Sequence, residues 1–224
     1  MNLSETNIKS FLDSIPSGVK VVAVSKTKPV EDILSVYSFG HKIFGENRVQ
    51  ELKGKFEELP KDIEWHLIGH LQSNKIKYIV EFVHMVHSVD SLKLLIAINN
   101  EAKKIDRVVD VLLQIYIATE ETKFGLDYEE LLTVLKSPEI KNLNNVRLRG
   151  LMGIASFTDD MQQVRKEFSQ LKKIFEHCKR DYFAGNDSFS ELSMGMSGDY
   201  KIAIEEGATI IRVGSLLFGE RNYL

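Results

Sequence analysis

The chain has 224 residues, of which 43% are hydrophobic and 27% are charged, and its formal net charge is −3. This composition is typical of a globular protein and excludes global disorder. The mild acidity provides no electrostatic basis for binding nucleic acid, and no segment approaches the roughly 18 uninterrupted apolar residues of a membrane span.

The amino terminus and the cysteine content predict the cellular environment. The first ten residues lack the basic start and the apolar run of a signal peptide. Cys178 is the only cysteine in the sequence, so an internal disulfide cannot form, which fits a reducing compartment. The sequence therefore predicts a cytoplasmic protein.

Short apolar runs alternate with longer amphipathic segments along the chain. The apolar runs are mostly rich in Val, Ile, Leu or Met, as strands buried on both faces are. In chain order, the predicted strands are 19–26, 42–45, 65–69, 85–89, 109–117, 146–155, 191–196 and 209–214.

Predicted helices lie between these strands. They cover residues 30–39, 48–58, 74–82, 91–104, 128–136, 159–179 and 199–206, and an additional helix is predicted for residues 2–14. Ser91, Asp127 and Asp159 stand where side chains cap helix starts.

Eight strands that alternate with helices predict parallel pairing through right-handed crossovers. A closed (β/α)8 TIM barrel uses this number of strands and leaves no edge strand. We therefore expect a single α/β domain over residues 1–224, with an extra N-terminal helix. An open doubly wound sheet is the alternative, which periodicity alone does not exclude.

Lys26 is the first candidate site residue, because it ends the first predicted strand in the segment VVAVSKTKP. It lies on the same strand face as Val22 and Val24. Desolvation there would lower the lysine pKa and produce an amine that can form a Schiff base. A lysine that extends from the strand end into solvent is the alternative, and position alone favours it.

The second predicted strand ends in FGENRVQE. Gly45 permits close approach of a ligand, and Asn47 offers a neutral donor and acceptor. Asn47 is equally suited to cap the following helix, and on its own that role is favoured.

Two loops near the end of the chain have the composition of a phosphate site. SMGMSGD places Ser197 and Gly198 after the seventh predicted strand, and TIIRVGSLLFG places Gly214 and Ser215 after the eighth. These loops form the recurrent phosphate site of TIM barrels, where backbone N–H groups and small hydroxyls receive the anion. Turn and cap chemistry explains either loop alone equally well, whereas the two together favour phosphate.

Arg212 stands two residues before Gly214, within the eighth predicted strand. A guanidinium in a strand usually marks a buried salt bridge. Beside a phosphate pocket, it could instead point at the ring of the ligand.

Four histidines raise the question of a metal site. His84 and His87 are three residues apart in an extended segment, so we expect their side chains to diverge. The chain has no HExxH or CxxC motif, and no metal site is predicted. His66 is expected to lie in the core or behind the site.

Seven motifs in fixed order carry a specific resemblance. AVSKTKP, FGENRVQE, WHLIGHLQSNK, TKFG, RGLMGIA, LSMGMSGD and IRVGSLLFGER run from about residue 19 to the C-terminus. The set resembles the pyridoxal phosphate homeostasis proteins (the YggS/PROSC family), which are similar to the N-terminal barrel of alanine racemases. IAS follows LMG here, where many relatives have a proline-containing variant, and this departure touches no expected cofactor contact.

The resemblance implies a pyridoxal 5′-phosphate (PLP) site. Its implied residues are Lys26 as the internal aldimine, Asn47 beside the ring, Ser197, Gly214 and Ser215 at the phosphate, and Arg212 at the pyridine nitrogen. Arginine only donates hydrogen bonds, so it keeps the ring nitrogen unprotonated and the ring a poorer electron sink. Such a site suits holding or exchanging the cofactor, or a racemase that avoids a stable carbanion.

The resemblance implies a protein of intracellular PLP homeostasis that is not an enzyme and that passes PLP to apoenzymes. A PLP-dependent amino-acid racemase is the alternative. Related racemases use a tyrosine from a separate C-terminal domain, and the chain ends at Leu224, so we expect a carrier and a monomer. A Schiff-base aldolase that uses Lys26 is a third possibility, with Glu46 as a weak acid–base candidate. Lys28 could accept the aldehyde during transfer.

Overall fold

The computed structural model describes residues 5–119 and 124–219, and side chains from residue 8 onward. Eight strands lie within this part of the chain: β1 (Lys20–Val24), β2 (Ile43–Glu46), β3 (Glu64–Leu67), β4 (Met85–Val89), β5 (Val109–Ile115), β6 (Val146–Gly153), β7 (Glu191–Ser193) and β8 (Ile210–Val213). Every adjacent pair is parallel, and β8 pairs with β1 to close the barrel. The predicted TIM barrel is confirmed, and the open sheet is excluded.

The same part of the chain contains eight α-helices. They are α1 (Glu5–Asp13), α2 (Val30–Ser38), α3 (Val49–Glu58), α4 (Leu92–Lys103), α5 (Tyr128–Lys136), α6 (Met161–Asp181), α7 (Tyr200–Glu205) and α8 (Ser215–Phe218). The extra N-terminal helix is therefore present as α1, and residues 2–4 of its predicted range lie outside the described residues. No helix in the described ranges is long and apolar enough to cross a membrane.

Two predictions about helices were wrong in detail. The segment after β3 forms a 3₁₀ helix, Ser73–Tyr78, rather than an α-helix over 74–82. Its turns bury Ile76 and Ile79, whose spacing of three matches a 3₁₀ repeat. The start of α6 is capped by Asp160, which accepts hydrogen bonds from two backbone N–H groups, and not by the adjacent Asp159. The predicted caps Ser91 and Asp127 are confirmed.

Two apolar layers hold the barrel together. The outer layer packs helices against strands, and its largest fully buried side chains include Trp65, Phe44 and Phe168. The inner layer fills the barrel, and it consists of Val22, Met85, Leu112, Met152 and Ile210. Because side chains alternate along each strand, the same strands supply both layers. The barrel interior is thus a packed core, which leaves its carboxyl end for a site.

Candidate functional site

A cavity of about 840 Å³ opens at the carboxyl ends of β1, β2, β7 and β8. The structure brings all six residues that the sequence singled out to its wall: Lys26, Asn47, Ser197, Arg212, Gly214 and Ser215. Apolar side chains that the sequence analysis did not single out complete the wall, namely Ile68, Ile154, Phe157 and Met196. The cavity therefore combines an apolar part with convergent polar groups, as small-molecule sites do.

The turn after β1 holds Lys26 at the cavity. Lys26 is half-buried, and the next residue, Thr27, has a φ of +64°. This left-handed conformation is strained for a β-branched residue and is maintained by its surroundings. The N–H of Thr27 donates to Glu51 Oε2 at 2.9 Å. Lys28 Nζ donates to the carbonyl of Phe218 at 2.8 Å, so the turn is tied to both α3 and α8.

A buried ion pair supports the same turn from below. Lys55 Nζ lies 2.6 Å from Glu46 Oε1 and donates to the carbonyl of Ser25 at 2.8 Å. Ser25 Oγ donates to the same carboxylate oxygen at 2.6 Å. Burial raises the pKa of Glu46, and the ammonium of Lys55 opposes this effect. Glu46 is fully buried and holds Ser25 beside Lys26, so it is a structural group rather than an acid–base group open to a ligand.

Asn47 reaches the cavity because the chain turns directly after β2. Its Oδ1 is buried and has no hydrogen-bond partner among the described residues. The alternative role as a helix cap is wrong, because the N-cap residue of α3 is Arg48. A buried acceptor without a partner is costly, and a ligand in the cavity would supply the missing donor.

The two loops predicted for phosphate meet each other. Ser197 Oγ accepts a hydrogen bond from the N–H of Gly214 at 3.2 Å. A Cβ on Gly214 would lie 3.1 Å from the carbonyl oxygen of Val24, a tight contact that favours glycine where this loop approaches β1. Ser215 follows as an exposed residue at the start of α8. Hydroxyls and backbone N–H groups suited to a phosphate therefore converge at one side of the cavity.

Arg212 lies beneath the cavity and is 4% exposed. Nη1 donates to Ser193 Oγ at 2.6 Å, and Nη2 donates to the carbonyl of Gly153 at 2.9 Å. Among the described residues no carboxylate lies within ion-pair distance, so the guanidinium is not in the buried salt bridge considered above. Burial lowers its pKa to about 10, which leaves it protonated at neutral pH. Arg212 therefore presents a fixed donor to the cavity.

A chain of hydrogen bonds continues from Arg212 through the barrel interior. Ser193 Oγ lies 3.0 Å from His87 Nδ1, and His87 Nε2 lies 2.8 Å from His66 Nδ1. Burial lowers the pKa of His87 well below its usual range and that of His66 to about 3, so both rings are neutral. The expectation that His66 lies in the core is confirmed, since it is 2% exposed.

Acid is expected to destabilise the fold through these histidines. The folded pKa of His66 is about 3, below the ordinary value of 6.5, so the unfolded state binds its proton more tightly. The free energy of unfolding therefore falls as the pH decreases from about 6.5 towards 3, and His66 alone accounts for about 2 kcal/mol between pH 7 and pH 5. Urea unfolding at the two pH values measures this loss.

The matched variants for this prediction are His66→Asn and His70→Ala. His66→Asn removes the buried imidazole and should reduce the acid loss, whereas His70→Ala removes a ring that is 49% exposed and should retain it. If the unfolding free energy decreased equally between pH 7 and pH 5 in wild type and in His66→Asn, the attribution of this decrease to His66 would be wrong.

The sequence matches the family model "Alanine racemase, N-terminal domain" over residues 3–222. Curated relatives of similar length are named pyridoxal phosphate homeostasis protein. The relative from Aquifex aeolicus is 43% identical over 91% of this chain and 88% of its own length. The relative from Synechocystis is 40% identical over 94% of this chain and 95% of its own.

The chain belongs to the pyridoxal phosphate homeostasis protein family. PipY of Synechococcus elongatus, solved without PLP, is 36% identical, and the match has a TM-score of 0.90 over 97% of this chain and 100% of PipY. PipY with PLP bound matches at a TM-score of 0.86 over 96% of this chain and 99% of that one. Alanine racemase of Clostridium difficile is 16% identical with a TM-score of 0.77, covers 96% of this chain and 55% of the racemase, and shares the fold.

Proposed function

We propose that this protein holds PLP in the cavity and acts in intracellular PLP homeostasis. Lys26 would hold the cofactor covalently, because its ε-amine is the group at the cavity wall suited to bind an aldehyde. When bound, PLP supplies an electrophilic aldehyde carbon and an aromatic ring that acts as an electron sink. The cavity itself carries this proposal, because the groups needed for the aldehyde, the ring and the phosphate all line it.

The residues present fit each part of the cofactor. Ser197, Gly214 and Ser215 receive the phosphate, and Ile68 and Ile154 offer an apolar wall to the ring. The buried Oδ1 of Asn47, which has no partner within the described residues, faces a ligand group that can donate. Family membership and a PLP-bound relative of 36% identity support the same ligand.

Arg212 favours holding the cofactor over extensive catalysis. A protonated guanidinium only donates hydrogen bonds, so Arg212 would hold the pyridine nitrogen of a bound cofactor as an acceptor and would leave that nitrogen unprotonated. A cofactor held in this way would supply only weak electron withdrawal, which suits retention of the cofactor more than catalysis. We therefore propose a carrier that is not an enzyme and delivers PLP to apoenzymes in the cytoplasm.

The Lys26→Ala variant tests the site. We expect wild-type protein incubated with PLP to be yellow and to retain a covalent adduct after borohydride reduction, with the adduct mapped to Lys26 by peptide mass spectrometry. Lys26→Ala should lose the adduct, because the other lysine at the cavity wall, Lys28, directs its ammonium to the carbonyl of Phe218. The exposed Lys77 provides the control Lys77→Ala, which should keep the adduct. An adduct mapped to Lys28 would refute the assignment.

A second experiment separates the carrier from the racemase. PLP-loaded protein is mixed with a PLP-dependent apoenzyme, and recovery of the apoenzyme's activity is followed together with loss of bound PLP. The carrier predicts transfer from wild type and none from the borohydride-reduced protein, in which the C–N bond is permanent. Sustained racemisation of a single L-amino acid by the loaded protein would instead support the racemase.

A further inference from the structure

We propose that Glu64, His66 and His84 form a site for a divalent transition-metal ion at the amino end of the barrel, opposite the cavity. Glu64 begins β3, His66 lies two residues later on the same strand face, and His84 precedes β4, the neighbouring strand. One ligand atom from each residue lies within 4.8 Å of the others. This proposal is independent of the PLP site and replaces the expectation that the protein has no metal site.

The buried member of the cluster has a nitrogen that lacks a partner. His66 Nε2 is fully buried and makes no hydrogen bond within the described residues. A buried polar atom without a partner is costly, and a metal ion would satisfy it. Glu64 and His84 have side chains that are 44% and 46% exposed, so an ion can enter from solvent and retain a water ligand.

The donor set fits zinc or a chemically similar ion. Two imidazoles and one carboxylate form a common three-ligand set, in which water occupies a fourth position. Metal–ligand bonds of about 2.0–2.1 Å in a tetrahedron place neighbouring ligand atoms about 3.3 Å apart. Glu64 Oε2 and His84 Nε2 are already 3.6 Å apart, which is close to the spacing of two ligands on one ion.

The other ring nitrogen of His66 is fixed as metal-bound histidines usually are. A ligating imidazole donates its second N–H to a neighbour, which sets the tautomer and the orientation of the ring. His66 Nδ1 lies 2.8 Å from His87 Nε2, and His87 Nδ1 lies 3.0 Å from Ser193 Oγ. With both Nδ1 atoms protonated, His66 Nε2 carries a lone pair that is available to a metal ion.

One movement is required for binding. The rings of His66 and His84 are stacked with an interplanar angle of 1° and centroids 5.4 Å apart. A metal ion lies in the plane of each imidazole that binds it, so two parallel rings cannot share one ion. His84 must therefore turn, and its exposed position leaves space for that rotation.

The test is calorimetric titration of the purified full-length protein with ZnCl₂. We expect one ion per chain, and replacement of a single ligand in Glu64→Gln or His84→Ala should weaken binding by at least about tenfold. Both residues are exposed, so the variants should keep the wild-type circular dichroism spectrum. The control is His177→Ala on α6, which removes one of the partners of Asp181 and should bind zinc as wild type does.

A spectroscopic readout identifies the ligands directly. Co²⁺ in place of Zn²⁺ should produce the intense visible bands of a tetrahedral ion in wild type and in His177→Ala, and these bands should be lost in His84→Ala. Absence of one-to-one binding, or equal binding by wild type, Glu64→Gln and His84→Ala, would overturn the proposal.

Discussion

The Gly150→Ala variant is expected to have an unfolding free energy about 4 kcal/mol or more below that of the wild type. Gly150 lies within β6 at a φ of +151°, a conformation that L side chains rarely adopt. A Cβ there would lie 1.8 Å from the carbonyl oxygen of Glu191 on β7. Because that oxygen belongs to the backbone of the neighbouring strand, the clash is relieved only by separating β6 from β7.

The conformation at Gly150 follows from an irregularity in the sheet. The register between β5 and β6 shifts near this residue: Val111 is opposite Leu148, but Leu112 is opposite Gly150. Such a bulge bends the strand and often uses glycine. Equilibrium unfolding in urea measures the effect, with soluble yield as a second readout if the variant does not fold.

The matched control is Gly54→Ala in the interior of α3. A Cβ at Gly54 would meet nothing within 4 Å, so this variant should gain about 0.5–1 kcal/mol from helix propensity. This expectation would be contradicted if the unfolding free energy of Gly150→Ala were within 1 kcal/mol of the wild-type value. It would also be contradicted if the unfolding free energy of Gly54→Ala were lower than the wild-type value by several kcal/mol.

The Lys55→Met variant is expected to lose about 3–5 kcal/mol, because it leaves the buried carboxylate of Glu46 without its cation. Lys55 Nζ lies 2.6 Å from that carboxylate, and Glu46 is fully buried. The same substitution removes the hydrogen bond to the carbonyl of Ser25, the residue before Lys26. We therefore also expect weaker retention of PLP, measured as faster loss of visible absorbance on dilution.

The pH dependence of this loss separates charge from packing. In Lys55→Met, burial raises the folded pKa of Glu46 with no ammonium to oppose it, so the folded state binds the proton more tightly than the unfolded state. The loss of unfolding free energy relative to wild type is then largest above the folded-state pKa of Glu46. It becomes smaller as the pH falls towards the pKa of a glutamate in the unfolded chain, about 4.3. A penalty that is the same at every pH would indicate lost packing instead.

Two further variants complete this test. Glu46→Leu combined with Lys55→Met removes both charges and should recover most of the stability, because a buried ion pair can be replaced by apolar side chains at little cost. Lys53→Met on the same helix breaks an exposed pair with Glu57 and a long contact of the ammonium with the ring of Tyr78, and it should change the unfolding free energy by less than about 0.5 kcal/mol.

The strands were predictable because their signal is local. Strands buried on both faces produce short apolar runs, and helices with one buried face produce a repeat of three or four, so each element can be recognised from its own residues. The helix after β3 was mistaken because a 3₁₀ and an α-helical segment bury residues at similar spacings. The α6 cap was placed one residue early because two adjacent aspartates offer equivalent side chains.

The positions of Lys26, Asn47 and Gly214 at one cavity were also predictable. Each follows the end of a parallel strand, and barrel closure brings all such ends to one face. The support beneath them was not predictable. In the sequence, Lys55 is one of several charged residues on an amphipathic helix. No residue near it in the chain indicates that its side chain contacts Ser25 and Glu46.

Local sequence is sufficient here for the order of elements and for the face on which the candidate site residues lie, since these depend on the strand ends. The pairing of β8 with β1 is what decides for a closed barrel over an open sheet. The contacts inside the barrel required three-dimensional coordinates. The hydrogen bonds from Arg212 through Ser193 and His87 to His66 connect four strands. Which of these side chains meet depends on the stagger between strands, and that stagger cannot be inferred from the residues of any one strand. For the same reason, the sequence analysis compared His84 only with His87, its neighbour along the chain. It missed that His84 stacks on His66, which belongs to the neighbouring strand β3.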